Sequence, residues 1–126
     1  MRLLLIDGFT FIRQPLAFLL AQQPDLEVIG DVDSAVEALR LATQHDVDLV
    51  IIEIELPEDD GVDLIRALRV SHRKLAILVL TGTTDFYRHA SAIDAGAATV
   101  LHRSLSYDEL LKTIRATRRH QVVAPA

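Results

Sequence analysis

The chain has no cysteine and no tryptophan, one methionine, and only 5 glycines and 4 prolines among its 126 residues. The missing cysteines exclude disulfides, thiol catalysis and thiolate metal sites together, and they fit a reducing compartment. No apolar run approaches the roughly 18 residues of a membrane span. Met1-Arg2-Leu3 opens directly into a strand-like run, so no targeting segment is expected. Within residues 1–120 there is no Pro/Gly-rich linker, low-complexity tract or internal repeat.

What remains is an ordinary globular composition, 50% apolar and 25% charged. A chain of this length buries roughly two thirds of the surface it exposes when unfolded, enough for one domain. We expect a single cytoplasmic domain over 1–120, with 121–126 as a tail or the start of a linker. The formal charge of −5 hides an asymmetry. Residues 1–63 carry Arg2, Arg13 and Arg40 against 14 acids, a sum of −11, whereas residues 64–126 sum to +6. Asymmetry between halves can mark nucleic-acid or membrane contact. The net sign argues against a dedicated duplex binder, because phosphate contacts need a positive face.

Five short apolar runs recur at Leu3–Ile6, Leu26–Ile29, Leu49–Ile54, Ala76–Leu80 and Thr99–Leu101. Runs this short, aliphatic and without clean alternation suit parallel strands covered on both faces. Helical periodicity lies between them. Ser34-Ala-Val-Glu37 and Ser106-Tyr-Asp-Glu109 have capping-box spacing. Val62, Ile65, Leu68 and Arg69 mark a third helix after Gly61. Phe86, Ala90, Ile93 and Ala97 mark a fourth, with Gly96 as its left-handed cap. The first, near Thr10–Gln22, contains Pro15, which predicts a late start or a kink. Alternating strand and helix units make an α/β fold, a parallel sheet with helices on both faces.

Ligands of open parallel sheets sit outside the carboxyl ends of the strands. There this chain places Asp7-Gly8, Glu53 toward Glu55, Thr81-Gly82 and His102-Arg103. An acid, a second acid, a hydroxyl and a cation converge on one edge.

The stretches LLLIDGFTFIR, DLVIIEIELPEDDG, VLTG and AGAATVLHRS, in that order, resemble the receiver domain of bacterial two-component response regulators over residues 1 to about 119. Most specific is the third, with Pro57 four residues and Gly61 eight residues after the acid. The resemblance implies a flavodoxin-like five-stranded sheet in the order 2-1-3-4-5. It also implies a phosphoacceptor at position 53, an acidic Mg²⁺ pocket, and switch positions at Thr81, Val100 and Arg103.

The chain departs from that family pattern where chemistry is done. Gly8 stands where a second acid is usual, Glu53 where aspartate is, Arg103 where lysine is, Ser104 where proline is common, and Val100 where an aromatic switch residue is. Phosphotransfer needs an in-line carboxylate and a shared Mg²⁺. Gly8 supplies no ligand to that ion, and Glu53 is one methylene too long for positioned attack. A planar guanidinium is no point-charge lysine. The expectation is a pseudo-receiver that is not an enzyme and takes no cofactor. Asp7, Glu53 and Glu55 form the metal set if there is one, and Mg²⁺ enters only if the chain still accepts phosphate. Arg103 is expected to grip Glu53 with a two-pronged fork, and Thr81 to donate its hydroxyl.

Other features read more plainly. Glu55, Glu58, Asp59 and Asp60 suit a solvated loop, and their order does not fit an EF-hand. Thr81-Gly82-Thr83-Thr84 reads as the start of a helix rather than a phosphate cradle. His45, His72, His89, His102 and His120 lack ligand spacing, and no serine–histidine–acid set is visible. Lys112, Arg115, Arg118 and Arg119 complement a helix C-terminus. The resemblance implies a protein partner, an output domain or a second copy at the fourth and fifth helices, where Phe86, Tyr87 and Tyr107 are the candidate aromatics. No membrane or direct nucleic-acid contact is expected of this domain. A helix-turn-helix output beyond Ala126 is the alternative context.

Overall fold

The computed structural model describes residues 1–123, with side chains described through Thr117. In chain order the elements are β1 (Arg2–Ile6), α1 (Thr10–Ala21), β2 (Glu27–Val32), α2 (Ala35–Gln44), β3 (Leu49–Ile52), α3 (Gly61–Ser71), β4 (Ala76–Thr81), α4 (Phe86–Ala95), β5 (Thr99–His102) and α5 (Tyr107–Val123). The strands form one parallel sheet in the order β2-β1-β3-β4-β5. Strand order reverses between β1 and β3, so the crevice expected of such sheets opens at their carboxyl ends.

Alternate residues of each strand feed opposite cores. Leu4, Ile6, Val50, Ile52, Ile77 and Val79 pack under α2, α3 and α4, while Leu3, Leu5, Leu49, Ile51, Leu78 and Leu80 pack under α1 and α5. Both faces are covered, which is why these runs are apolar without alternation.

The helices start where local chemistry says they should. Ser34 Oγ accepts the Glu37 amide at 3.3 Å and Ser106 Oγ the Glu109 amide at 3.1 Å. Only half of the first box forms, because the Glu37 carboxylate turns to Arg40 at 2.6 Å. Asp60 and Asp85 cap α3 and α4 through the Val62 and Tyr87 amides, each at 2.9 Å. Gly96 ends α4 at φ 127°, a conformation that L side chains avoid.

Two expectations need correcting. Pro15 does not delay α1, which starts at Thr10 with the Phe9 carbonyl accepting the Ile12 and Arg13 amides. The amide that proline lacks would have served Phe11, which lies on the solvent side. Helix α4 is rotated relative to its apolar pattern. Ala92 and Ala95 are buried, whereas Phe86 is 82% and Ile93 47% exposed. Alanines permit close packing against the sheet, and the larger side chains turn outward. At the other end of the chain, α5 runs through Val123, past the expected boundary at residue 120. Residues 124–126 lie outside the described residues.

Gly61 joins fold to site. A β-carbon there would lie 2.4 Å from Ile54 Cα and 2.7 Å from its carbonyl oxygen, so α3 meets the end of β3 only through hydrogen. Gly61→Ala is therefore expected to cost about 1–3 kcal/mol of overpacking. The measurement is the urea midpoint at unchanged m-value, and an unshifted midpoint would show that the α3–β3 contact gives way freely.

Candidate functional site

The expected convergence is present at the carboxyl edge. Ladder hydrogen bonds run one residue past three strands: Asp7 N–H to Val32 O at 3.0 Å, Glu53 N–H to Ile6 O at 2.9 Å, and Arg103 N–H to Thr81 O at 2.8 Å. These bonds fix the backbones from which the side chains project. Asp7, Glu53 and Thr81 are all buried.

Arg103 Nη2 bridges two carboxylates, donating to Glu53 Oε1 at 3.1 Å and to Asp7 Oδ2 at 3.2 Å. The expected fork on Glu53 is thus not what forms. One nitrogen serves two acids, because both stand within its reach on adjacent central strands. The Phe9 ring covers the guanidinium, 5.2 Å from Cζ to its centroid, a favourable cation–π distance. Asp7 Oδ1 is occupied by the Phe9 amide at 2.8 Å. Asp7 O accepts from Arg13 Nη1 at 2.7 Å.

Thr81 also departs from expectation. Its Oγ1 accepts the Thr83 amide at 3.1 Å, and Glu53 Oε1 is met instead by the Gly82 amide at 3.3 Å. The threonine hydroxyl bonds locally, two residues on, as Ser and Thr side chains commonly do. Val100 pairs with Val79 across β4 and β5 and packs as a plain aliphatic against the core.

The residues do not fit a divalent metal. Gly8 offers no side chain, and the space for one is filled: a β-carbon there would lie 2.4 Å from Pro57 Cδ and 2.6 Å from Cγ. Glu55 turns away to Arg88 Nε at 3.3 Å. Among the described residues no group of three His, Cys, Asp or Glu side chains is placed to hold an ion.

The acidic loop is structural rather than merely solvated. Asp59 Oδ2 accepts the Ala35 amide at 2.9 Å, which ties α2 to this loop. Arg88 of α4 reaches Glu55, both carboxylate oxygens of Asp60, and the Ile54 carbonyl. Sequence reasoning missed Arg88, since no local spacing connects residue 88 to 55 and 60. It also missed three further fastenings. His89 Nε2 meets Thr83 O at 2.8 Å. His102 Nδ1 accepts the Ser104 amide at 3.1 Å, which leaves Nε2–H to face Gly82 O at 3.3 Å. Arg69, read as part of an apolar stripe, donates to the carbonyls of His72, Arg73, Leu75 and Gly96.

On α5, Arg115 grips Asp25 and Gln23, at 3.0–3.1 Å, rather than only complementing the helix end, and Lys112 pairs with Glu109. The side chains of Arg118, Arg119 and His120 lie outside the described residues. Of the candidate aromatics, Phe86 and Tyr87 are largely exposed, Phe86 meeting the His89 ring edge-to-face, while Tyr107 donates its hydroxyl to Leu19 O at 3.0 Å and ties α5 to α1. Among the described residues, no helix is long and apolar enough to cross a membrane.

A parallel sheet in this order, with acids ending β1 and β3, a threonine ending β4 and a cation after β5, defines a class of signalling domain. The family model of the response regulator receiver domain matches residues 3–115, and the chain belongs to that family. Transcriptional regulatory protein LiaR of Bacillus subtilis is 31% identical over 118 residues, 94% of this chain and 56% of that protein. A protein-glutamate methylesterase/protein-glutamine glutaminase of Nocardioides is 35% identical over 99 residues, 77% of this chain and 27% of its own length. Among solved structures, the signal receiver domain of an HD domain-containing protein from Pseudomonas fluorescens aligns at TM-score 0.86 and 32% identity, covering 95% of each chain. A CheY-like receiver domain protein from Methanospirillum hungatei shares the fold at TM-score 0.87 and 21% identity, covering 95% of this chain and 94% of its own. The chain spans about half the length of the curated relatives it matches first.

The Arg88–Asp60 pair has a pH signature. Hydrogen bonding to Arg88 holds the Asp60 carboxyl below its usual range, against an opposing push from burial, and Asp60 in turn raises the Arg88 guanidinium. With the folded value depressed, the stabilisation is complete above the unfolded aspartate value of ~3.9 and is lost as pH falls through the lower folded value. Arg88→Met should cost less than about 1 kcal/mol at pH 7, as exposed pairs do. It should also make stability fall less steeply between about pH 5 and pH 3. Urea midpoints across that range test it, and parallel curves for the two proteins would refute the assignment.

Proposed function

We propose that this chain is a regulatory receiver module whose working state is held by its own side chains instead of by phosphorylation. The observation that carries the reading is Arg103 Nη2 bridging Glu53 and Asp7 while the Gly82 amide meets the same Glu53 oxygen. In the receiver pattern a phosphorylated aspartate engages the residues after β4 and β5. Here an unmodified glutamate, one methylene longer, already does so. It brings one negative charge against the −1.5 to −2 of a phosphate, which suits one arginine shared with Asp7.

Gly8, the Pro57 ring over it and the guanidinium between the acids all weigh against Mg²⁺-dependent phosphotransfer. The module accordingly acts through protein contacts rather than as a catalyst. Phe86 and Tyr87, large and exposed on α4, suit a partner, an output domain or a second copy. Incubation with a small phosphodonor and Mg²⁺, read by intact-protein mass spectrometry, is expected to leave the mass unchanged. A stoichiometric acyl-phosphate on Glu53 would end this reading in favour of a receiver that still accepts phosphate.

A second reading concerns context. The first curated relatives carry names of transcriptional regulators and are about twice as long as the aligned region. That favours a receiver that precedes a DNA-binding output unit in a cytoplasmic regulator, with no nucleic-acid contact by this domain itself. The reading frame beyond Ala126 decides it.

A further inference from the structure

Two large aromatic side chains that neither the pocket nor α4 uses stand on the outer side of α1. Arg13, Ala17 and Leu20 are the buried residues of that helix. Opposite them, Phe11, Pro15 and Phe18 fall within about 60° of one another, a stripe ~10 Å long. Phe11 is 94% exposed, Phe18 66%, and Leu19 at the edge of the stripe 45%. The exposed Gln14 and Gln22 flank it. Single exposed apolar residues are ordinary, whereas a contiguous patch of them marks a contact surface.

Charge is missing from this face. Between Phe9 and Pro24 the sequence has one charged residue, Arg13. That residue is buried, with its guanidinium on Asp31 and on the Asp7 carbonyl. A chain of formal charge −5 repels its own copies, and a face without charge is where that repulsion opposes contact least. The stripe also reads the same in both directions, with Phe11 four residues before Pro15 and Phe18 three after it. A two-fold contact needs such a pattern, because residue i must meet j while j meets i. With Pro15 near the axis, an antiparallel second α1 lays its Phe18 on Phe11 and its Phe11 on Phe18. The small proline ring leaves room between the two aromatic rings.

We propose that the outer face of α1 is a self-association surface, on which a second copy of this chain packs antiparallel through Phe11, Pro15 and Phe18. The two rings leave roughly 300 Å² in solvent. With Pro15, Leu19 and the glutamines, a pair of copies buries about 1,000 Å², the lower bound for a specific interface. The dimer is accordingly weak, with Kd on the order of 10–100 µM. Nothing in it depends on the state of Glu53, so the phosphodonor result and this proposal fail separately.

The test is sedimentation velocity of the full chain over a concentration series spanning that range. The wild type is expected to pass from monomer to dimer. Phe11→Glu and Phe18→Lys should each weaken the association at least about tenfold. Both positions face solvent, and an acid in the first turn of α1 suits the helix dipole, so both variants should keep the wild-type circular dichroism spectrum. An equimolar mixture of the two should associate again. In the mixed pair the new carboxylate meets the new ammonium at one end, while Phe18 and Phe11 still meet at the other. That regained association should fall as NaCl is raised, and that of the wild type should not. Phe86→Glu should associate as the wild type does. A wild type that stays monomeric throughout overturns the proposal, as do single variants that dimerise unimpaired. A mixture that stays monomeric overturns it too, and so does loss of the dimer in Phe86→Glu, which would put the second copy on α4.

Discussion

One guanidinium nitrogen held between two buried carboxylates is the constraint around which this edge of the protein is arranged. The acids come from neighbouring central strands, β1 and β3, and the arginine from beyond β5, so the contact spans β4. Parallel order creates the problem as well as its answer. Strands that all end at one edge deliver their terminal side chains to one place, and adjacent acids there need a counter-charge. The loops then close over the result. Phe9 lies on the guanidinium, its amide holds the far oxygen of Asp7, and the Gly82 amide reaches Glu53.

From this edge the restraint passes into α4. Gly82 is tied by its amide to Glu53 and by its carbonyl to His102, while the Thr83 carbonyl is taken by His89. Arg88 then fastens the first turn of α4 to the loop just after Glu53. The strand carrying Glu53 and the helix presenting Phe86 and Tyr87 are thus joined by a continuous set of polar contacts. Such continuity is a route for coupling only if the elements have two arrangements. On the reading proposed above, the glutamate and the arginine together fill the role that a reversible modification would play, which biases the route toward one of them.

Much of this was legible in the residues, and the part that was not has a common cause. Strand positions, helix starts at Ser34 and Ser106, and the gathering of Asp7, Glu53, Thr81 and Arg103 follow from local rules or from strand ends. Those rules act within a few residues or within one register. What escaped depends on distances set by packing. Whether Arg103 grips one acid or bridges two is decided by the spacing of β1 and β3, and whether Gly8 leaves a hole depends on where Pro57 comes to rest. Arg69 and Arg88 find carbonyls and acids far along the chain, and no periodicity encodes those meetings. The outward turn of Phe86 and Ile93 belongs with them. Hydrophobicity favours burying the larger residues, yet a helix that must approach closely uses its alanines.

The charge asymmetry between halves finds its explanation in the same topology. Arg88, Arg103 and Arg115, all from the positive half, reach Glu55 and Asp60, Asp7 and Glu53, and Asp25 in the negative half. Each follows from chain order, since β4, α4, β5 and α5 are laid beside the acids that β1, β3 and their loops have already placed. The three contacts are not equal. Arg88 and Arg115 pair acids that stay partly in solvent, where such pairs contribute little and salt screens them. Arg103 faces acids that water barely reaches, so its charge alone is needed for two others to remain buried. Three cations of the positive half are thus turned onto acids of the negative half, and one of them onto acids that are buried.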